Sequence, residues 1–156
     1  MGNFTPEQFQ KFLENLPEEL EEVVSEILPV IIGKNAVDIY KENFQLQGFQ
    51  NKEVEYWADV KRRTEGKSKG ADTTRKILTG RTGDLGRSIE YAVAAKGSVK
   101  IYSDLPYADA HNSGTDNAGR HRNVKIPQRK FIGDSYEVTH MVNKEIKNKF
   151  DGKLNF

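Results

Sequence analysis

The sequence SIEYAVAAKGSVKIY, residues 88–102, contains two runs that are typical of β-strands. Residues 88–94 and residues 98–102 have alternating or β-branched side chains, and Lys96-Gly97 between them is a turn signal. We therefore predict a β-hairpin here. Because apolar residues elsewhere recur at helical spacing, the predicted fold class is α+β, with N-terminal helices, a small antiparallel β-sheet and a C-terminal helix packed on the sheet.

Helical spacing dominates residues 5–48. Thr5-Pro6-Glu7-Gln8 predicts a helix start, because it combines a capping hydroxyl, a proline at the first helical position and a Gln three residues after the cap. Three apolar stripes follow: Phe9, Phe12, Leu13 and Leu16; Leu20, Val23, Val24, Ile27 and Leu28; and Ile32, Ala36, Ile39, Tyr40 and Phe44. Pro17 interrupts the first two stripes, so two helices or one kinked helix fit equally well. Pro29 is predicted to start the third helical unit and Gly48 to end it.

Loops are predicted between the remaining elements. Residues 53–64 fit a short helix or a loop, and residues 65–74 predict a mobile loop, because they include no apolar residue larger than Ala. Residues 77–89 hold regularly spaced glycines and are expected to form a turn-rich entry to the first strand. Residues 105–123 predict a long loop, of a kind that is usually functional or ordered by a partner.

Short elements are predicted near the C-terminus. Residues 124–126 predict a strand that ends at Pro127. Ser135 or Asp134 is expected to cap a final helix that runs to Phe150.

Composition limits the class of protein. The chain has 156 residues, of which 36% are apolar and 30% charged, as expected for one compact domain; within it we predict an N-terminal helical segment, 1–43, and an α+β core, 44–156. The absence of Cys excludes disulfides, thiolate metal sites and cysteine nucleophiles. The longest apolar run, residues 27–33, is far shorter than the roughly 20 residues that span a bilayer, so no membrane partner is expected.

Charge is segregated along the chain although the net charge is +1. Residues 1–33 carry seven Glu, no Asp and one Lys, and residues 61–87 carry nine basic and three acidic residues. Residues 120–130 add five basic residues and no acidic one. Such a split is compatible with nucleic-acid binding, with an acidic face meeting a basic face of the next subunit, or simply with solvated surfaces.

The candidate chemical motifs are weak. Residues 80–86, GRTGDLG, resemble a phosphate cradle but lack the Lys-Ser or Lys-Thr of a nucleotide-binding loop, so backbone turns are the preferred interpretation. The three histidines, His111, His121 and His140, match no metal-ligand spacing with nearby Asp104, Asp109 and Asp116. Ser88, Ser103 and Ser113 lie in no nucleophile elbow. We therefore predict that the protein is not an enzyme and that it has no catalytic residues, no metal and no cofactor.

Four segments, taken in order, resemble one protein family. They are Phe44 with Trp57; residues 77–85, ILTGRTGDL, followed by Arg87-Ser88-Ile89; Tyr107-Ala108 with His111 and Gly114; and residues 126–133, IPQRKFIG. Together they are similar to the phage virion morphogenesis, or tail-completion, family. Gln128 and Lys130 depart from the family pattern, which has a small residue and a proline around the Arg.

The resemblance implies a non-enzymatic virion protein that acts in tail completion or head–tail joining. It implies a homo-oligomeric ring, other phage tail or head–tail connector proteins as partners, and a location in the virion and, during assembly, in the host cytoplasm. Structural or assembly roles are implied for Trp57, Gly80, Gly83, Leu85, Ser88, Tyr107, His111, Gly114, Pro127, Arg129 and Phe131. Among these, Tyr107, His111 and Arg129 are expected to hold the long loop against the sheet.

Basic residues are the candidates for contact with DNA in the lumen of a ring, or with a partner protein. They are Arg62, Arg63, Lys67, Lys69, Arg120 and Arg122. A stand-alone nucleic-acid-binding module that uses the same basic loops is the alternative function, although no nucleic-acid-binding motif is present.

Overall fold

The computed structural model describes residues 17–65 and 70–150, together with residues 7, 11, 14 and 15. The predicted helix start at Thr5, the whole apolar stripe of Phe9, Phe12, Leu13 and Leu16, and the centre of the predicted mobile loop, residues 66–69, lie outside the described residues. The described chain combines helices with three antiparallel two-stranded sheets, which confirms the α+β class. No helix among these residues is long and apolar enough to cross a membrane.

The elements follow in chain order. The helices are α1 (Glu18–Glu22), α2 (Leu28–Leu46), α3 (Lys61–Thr64), α4 (Ala71–Thr74), α5 (Asp84–Arg87), α6 (Ala108–Ser113) and α7 (Tyr136–Phe150), with a π-helical turn (Val23–Ile27) between α1 and α2. The strands pair as β1 (Gly48–Gln50) with β2 (Val54–Tyr56), β3 (Ile89–Ala95) with β4 (Ser98–Ser103), and β5 (Thr115–Ala118) with β6 (Val124–Ile126).

One helix runs without a break from α1 into α2. Pro17 has an extended backbone, so this helix begins after it, which favours the alternative of two helices over one kinked helix. The prediction that Pro29 starts a new unit is wrong, because Pro29 lies inside this helix. Proline has no amide hydrogen to donate to the carbonyl four residues earlier. The π-helical turn just before Pro29 accommodates the missing hydrogen bond, and in this turn the Leu28 amide donates to the Val23 carbonyl.

The end of α2 differs from the prediction by one residue. The chain leaves the helix at Gln47, which adopts the left-handed conformation with a φ of 58°. Gly48 is already the first residue of β1.

The central hairpin confirms the sequence prediction. Residues 89–95 pair with residues 98–103, and Lys96-Gly97 forms the turn. Tyr91 from this hairpin lies on α2 at Gly33, where a Cβ would come within 2.3 Å of the ring atom Cδ2 of Tyr91. A glycine is therefore required at this crossing of helix and sheet.

Within the described residues, the core consists of two apolar clusters, and α2 contributes to both. The larger cluster contains Ala36, Val37, Tyr40, Phe44, Phe49, Trp57, Ile77, Leu85, Ile89, Ala108 and Phe131. The smaller contains Leu20, Val24, Leu28 and Phe150. The C-terminal helix α7 makes most of its contacts with α2. Its Val138 and Met141 pack against the larger cluster, which includes Ile89 of β3, and Ile146 and Phe150 belong to the smaller one. The proposed division at residue 44 falls inside α2 and stays a prediction.

Several predicted loops contain regular structure. Residues 53–64 include β2 and α3, residues 71–74 form α4, and residues 105–123 include α6 and β5. The long-loop prediction for residues 105–123 is therefore wrong. These elements have only three to six residues, so each contains too few repeats for a periodic pattern. The predicted short strand at residues 124–126 is confirmed as β6, and Ser135 caps α7 by accepting a hydrogen bond from the Val138 amide at 3.3 Å.

Candidate structural and assembly site

Residues 130–133, which we call the clamped segment, are held by side chains from three other parts of the chain. Each of their four successive carbonyl oxygens accepts a side-chain hydrogen bond. The donors, in order along the segment, are Trp57 Nε1 at 2.8 Å, Asn43 Nδ2 at 3.1 Å, Asn112 Nδ2 at 3.0 Å and Tyr40 Oη at 2.7 Å. Among the residues that the structure describes, no strand pairs with this segment, so these side chains satisfy the carbonyls that a sheet would otherwise satisfy.

Asn112 binds the clamped segment from both ends of its amide. Its Oδ1 accepts hydrogen bonds from the amides of Phe131 at 2.8 Å and Ile132 at 3.0 Å, while its Nδ2 donates to the Ile132 carbonyl. Helix α6 carries Asn112, so this one residue joins α6 to the clamped segment.

Aromatic packing fixes the same segment from the core side. Phe131 is buried, and its ring centroid lies 5.3 Å from that of Phe44. Phe44 in turn meets Trp57 edge to face at 5.5 Å. Pairs of this kind contribute about 0.5–1.5 kcal/mol each beyond their burial. Trp57 therefore holds the segment directly through its indole N–H and indirectly through Phe44.

Tyr40 donates its hydroxyl hydrogen as a neutral phenol. Burial raises the pKa of Tyr40 above its ordinary value. The hydroxyl therefore remains a donor to the Gly133 carbonyl at neutral pH.

The end of α6 lies directly against the chain before the clamped segment. The Arg129 amide donates to the His111 carbonyl at 2.9 Å. Gly114 ends the helix with a φ of 75°, and a Cβ there would lie 2.8 Å from the backbone nitrogen of Gln128. Both the conformation and the space therefore require glycine at position 114.

His111 is half-buried and packs edge to face against Tyr107, with ring centroids 6.1 Å apart. Its Nδ1 is buried and has no hydrogen-bond partner in the described part of the chain. Burial lowers the pKa of His111, and the nearby Arg129 guanidinium lowers it further. His111 is thus a packed, neutral side chain whose backbone, more than its ring, makes the polar contact with Arg129.

Arg129 is only 6% exposed and joins two segments that are 70 residues apart. Its Nε donates to the Ala58 carbonyl and its NH2 group to the Asp59 carbonyl, both at 3.1 Å. Burial lowers the pKa of Arg129, Arg62 adds to that effect, and Asp59 opposes it. Backbone carbonyls thus accept hydrogen bonds from this buried guanidinium, beside Trp57.

Arg62 and Arg63 also bind backbone. The NH2 group of Arg62 donates to the carbonyls of Arg75 at 2.8 Å and Lys76 at 2.9 Å. The NH2 group of Arg63 donates to the Arg75 carbonyl at 2.7 Å, and its NH1 group forms an ion pair with Asp59 at 3.2 Å. Both arginines are half-buried, and they anchor residues 75–76 to α3.

The other predicted basic residues lie elsewhere. Arg120 and Arg122 are exposed in the turn between β5 and β6, well separated in sequence from α3. Lys67 and Lys69 lie outside the described residues. The structure therefore brings Arg62 and Arg63 together with Arg129, and it places Arg120 and Arg122 on a different element.

The glycine-rich segment forms turns, in agreement with the preferred interpretation of residues 80–86. Gly80 and Gly83 have φ angles of 56° and 74°, and Leu85 is buried in the larger core cluster. The Ser88 hydroxyl bonds to the Leu85 carbonyl at 2.9 Å and to the Ser103 hydroxyl at 2.7 Å, which ties the turns to the β3–β4 hairpin. Pro127 is exposed just after β6.

Three residues of the clamp were not singled out as site residues from the sequence: Tyr40, Asn43 and Asn112. Asn43 is fully buried next to Phe44, and its Oδ1 also accepts a hydrogen bond from the Gln50 amide at 2.9 Å. An Asn beside an apolar helical stripe is the signal that could have identified it. Within the described residues, no three His, Asp or Glu side chains are grouped so that they could hold a metal ion.

The chain is therefore an α+β protein in which Trp57 and Arg129 donate hydrogen bonds to backbone carbonyls of distant segments. The profile of the phage virion morphogenesis family matches residues 6–151, and the chain belongs to that family. The family is a structural one and not a known enzyme class. Membership of this family implies a virion-associated protein. No curated protein and no solved structure matches the chain.

Proposed function

We propose that the protein is a non-enzymatic part of a phage or prophage virion that acts in tail completion or head–tail joining as an oligomeric ring. Its partners in this proposal are further copies of itself and the tail or head–tail connector proteins, in the host cytoplasm during assembly and then in the virion. Membership of the virion morphogenesis family supports the general role. The ring is supported chiefly by the open β3–β4 sheet.

The β3–β4 sheet has surface that a second copy could cover. It has two strands, and within the described chain neither outer edge is paired. Residues 92–95 of β3 are exposed and consist only of Ala and Val, with Val93 46% exposed. Unpaired strand edges with apolar side chains readily accept a further strand, so β3 is the edge that we assign to subunit contact.

The acidic N-terminal helix supports a contact between unlike faces. Glu18, Glu22 and Glu26 are exposed at helical spacing and form no ion pair within the described residues. Glu21 pairs with Lys96 at 2.7 Å, which places this acidic surface beside the turn of the β3–β4 hairpin. A ring requires two different contact faces on each subunit. The acidic surface and the apolar edge of β3 differ in chemistry as two such faces do.

The test is a Val93→Lys variant, with Val124→Lys as the matched control. Val124 is a β-strand valine of similar exposure, 50%, on β6. We expect a salt-resistant oligomer by sedimentation and rings by electron microscopy for the wild type and the control, and loss of both for Val93→Lys. A wild type that is monomeric at all concentrations, or Val93→Lys rings, would contradict the assignment.

A stand-alone nucleic-acid-binding module is the second candidate, and the exposed Arg120 and Arg122 favour it. A monomer that shifts DNA at physiological salt would support this module. Rings in the absence of DNA would support the virion part.

A further inference from the structure

The β5–β6 hairpin, residues 115–126, stands out from the rest of the protein; we call it the arm. Its strands pair through Thr115 with Ile126 and through Ala118 with Val124. Its main contact with the remaining described chain is with α6, at its base. Residues 119–125 are all exposed, so the tip is available to another molecule.

The tip of the arm is cationic. It reads GRHRNVK over residues 119–125 and includes no acidic residue. Lys125 pairs with Asp116 on the opposite strand at 3.3 Å. In the part of the chain that the structure describes, the side chains of Arg120 and Arg122 have neither an ion pair nor a hydrogen bond.

This arrangement separates two groups of arginines that the sequence alone leaves equivalent. Arg62, Arg63 and Arg129 donate to backbone carbonyls of their own chain. Arg120 and Arg122 do not, so their donors remain for a partner.

The composition of the arm favours a polyanion over a protein as that partner. Protein interfaces have a core of aromatic and aliphatic anchors, whereas the exposed part of the arm offers only Val124. Arginine and asparagine side chains are common donors to phosphate oxygens, and Asn117 and Asn123 lie near the two arginines. We propose that the arm binds the phosphate backbone of double-stranded DNA independently of sequence, through Arg120 and Arg122.

The inference extends the proposed function, and it rests on that function only for the origin of the DNA. A protein at the head–tail junction or the tail end meets the genome as it passes. Contact with phosphates alone gives a weak attraction that salt screens, which would allow DNA to move past the arm.

The experiment compares duplex DNA binding of the wild type, Arg120→Gln/Arg122→Gln and Lys144→Gln/Lys147→Gln across a salt series, by fluorescence anisotropy. Lys144 and Lys147 are exposed on α7 and make the control equal in charge. Each phosphate contact contributes about 0.9 to the slope of log K against log salt, so the arm variant should lose about 1.8 from that slope. The control should keep the wild-type slope, and Arg120→Lys/Arg122→Lys should recover most of it.

Sedimentation of the same proteins separates this inference from the proposed ring. Arm-dependent DNA binding by a monomer would support the inference and contradict the ring. Equal DNA binding by the arm variant and the control would overturn the inference and leave the ring untouched. If the arm variant loses oligomers but keeps its DNA affinity, the arm contacts a second copy and the inference is wrong.

Discussion

Asn43 and Phe131 are 88 residues apart in the chain, and the Asn43 side chain donates to the Phe131 carbonyl at 3.1 Å in the interior. The Asn43 Oδ1 also accepts a hydrogen bond from the Gln50 backbone amide, so the buried Asn43 side chain joins α2 to β1 and to the clamped segment. Several residues that resemble the family pattern, Trp57, Arg129 and Phe131, converge on the same place. Trp57, Arg129 and Phe131 thus contact parts of their own chain that are far away in sequence.

Replacement of Asn43 by Ala should destabilise the protein strongly. The substitution leaves the Phe131 carbonyl and the Gln50 amide without the hydrogen bonds that Asn43 supplies. Each buried polar group left unsatisfied in this way costs about 1–3 kcal/mol. We expect the free energy of unfolding, measured with urea, to fall by about 2–6 kcal/mol. Asn148→Ala, at an exposed position of α7, is the control and should change it little. Equal losses of stability for Asn43→Ala and Asn148→Ala would show that the hydrogen bonds of Asn43 to the clamped segment do not stabilise the fold.

Arg129→Lys should destabilise the protein although it keeps the charge. A lysine ammonium cannot reproduce the planar group that reaches the carbonyls of Ala58 and Asp59 together. We expect a loss of about 1–3 kcal/mol in the free energy of unfolding, compared with Arg81→Lys at an exposed turn position. A neutral Arg129→Lys substitution would mean that these two hydrogen bonds do not stabilise the fold.

The stability of the protein should decrease at mildly acidic pH because of His111. Burial, then Arg129, lowers the pKa of His111 in the folded state below its unfolded value of about 6.5. The unfolded state therefore binds more protons between the two pKa values, and the stability present above about pH 6.5 is lost as the pH falls through the native pKa.

Urea midpoints measured across this pH range provide the check. His111→Gln should make the urea midpoint depend less on pH, because it removes an imidazole whose protonation destabilises the folded state. His121→Gln, at the exposed tip of the arm, should leave the profile as in the wild type. Identical profiles for the wild type and His111→Gln would assign the pH dependence to another group.

Gly33→Ala should disturb the contact between α2 and the central hairpin. The new methyl group would lie 2.3 Å from Cδ2 of Tyr91, so the ring or the helix must shift. Overpacking of this kind costs about 1–3 kcal/mol, which we expect to see as a lower thermal midpoint. Gly86→Ala provides the comparison, since its methyl group would meet Phe44 at 3.4 Å, an ordinary contact distance. Equal midpoints for the two variants would contradict a tight crossing at Gly33.

Local patterns were enough for the parts of the fold that depend on neighbouring residues. The β3–β4 hairpin followed from alternating side chains around Lys96-Gly97, and the helical stripe from Ile32 to Phe44 followed from its spacing. The turns at Gly80 and Gly83 followed from the conformations that glycine permits. Each of these features is set by interactions within a few residues, which sequence periodicity records directly.

Long-range packing determined the rest. The sequence could not show that the carbonyls of residues 130–133 meet Trp57, Asn43, Asn112 and Tyr40, because a backbone carbonyl carries no residue-specific signal. It also presented Arg62 and Arg120 as equivalent basic residues. Only the folded chain places Arg62 against the carbonyls of residues 75–76 and leaves Arg120 at the tip of the arm, since the partners of a guanidinium depend on which distant segments the core brings beside it.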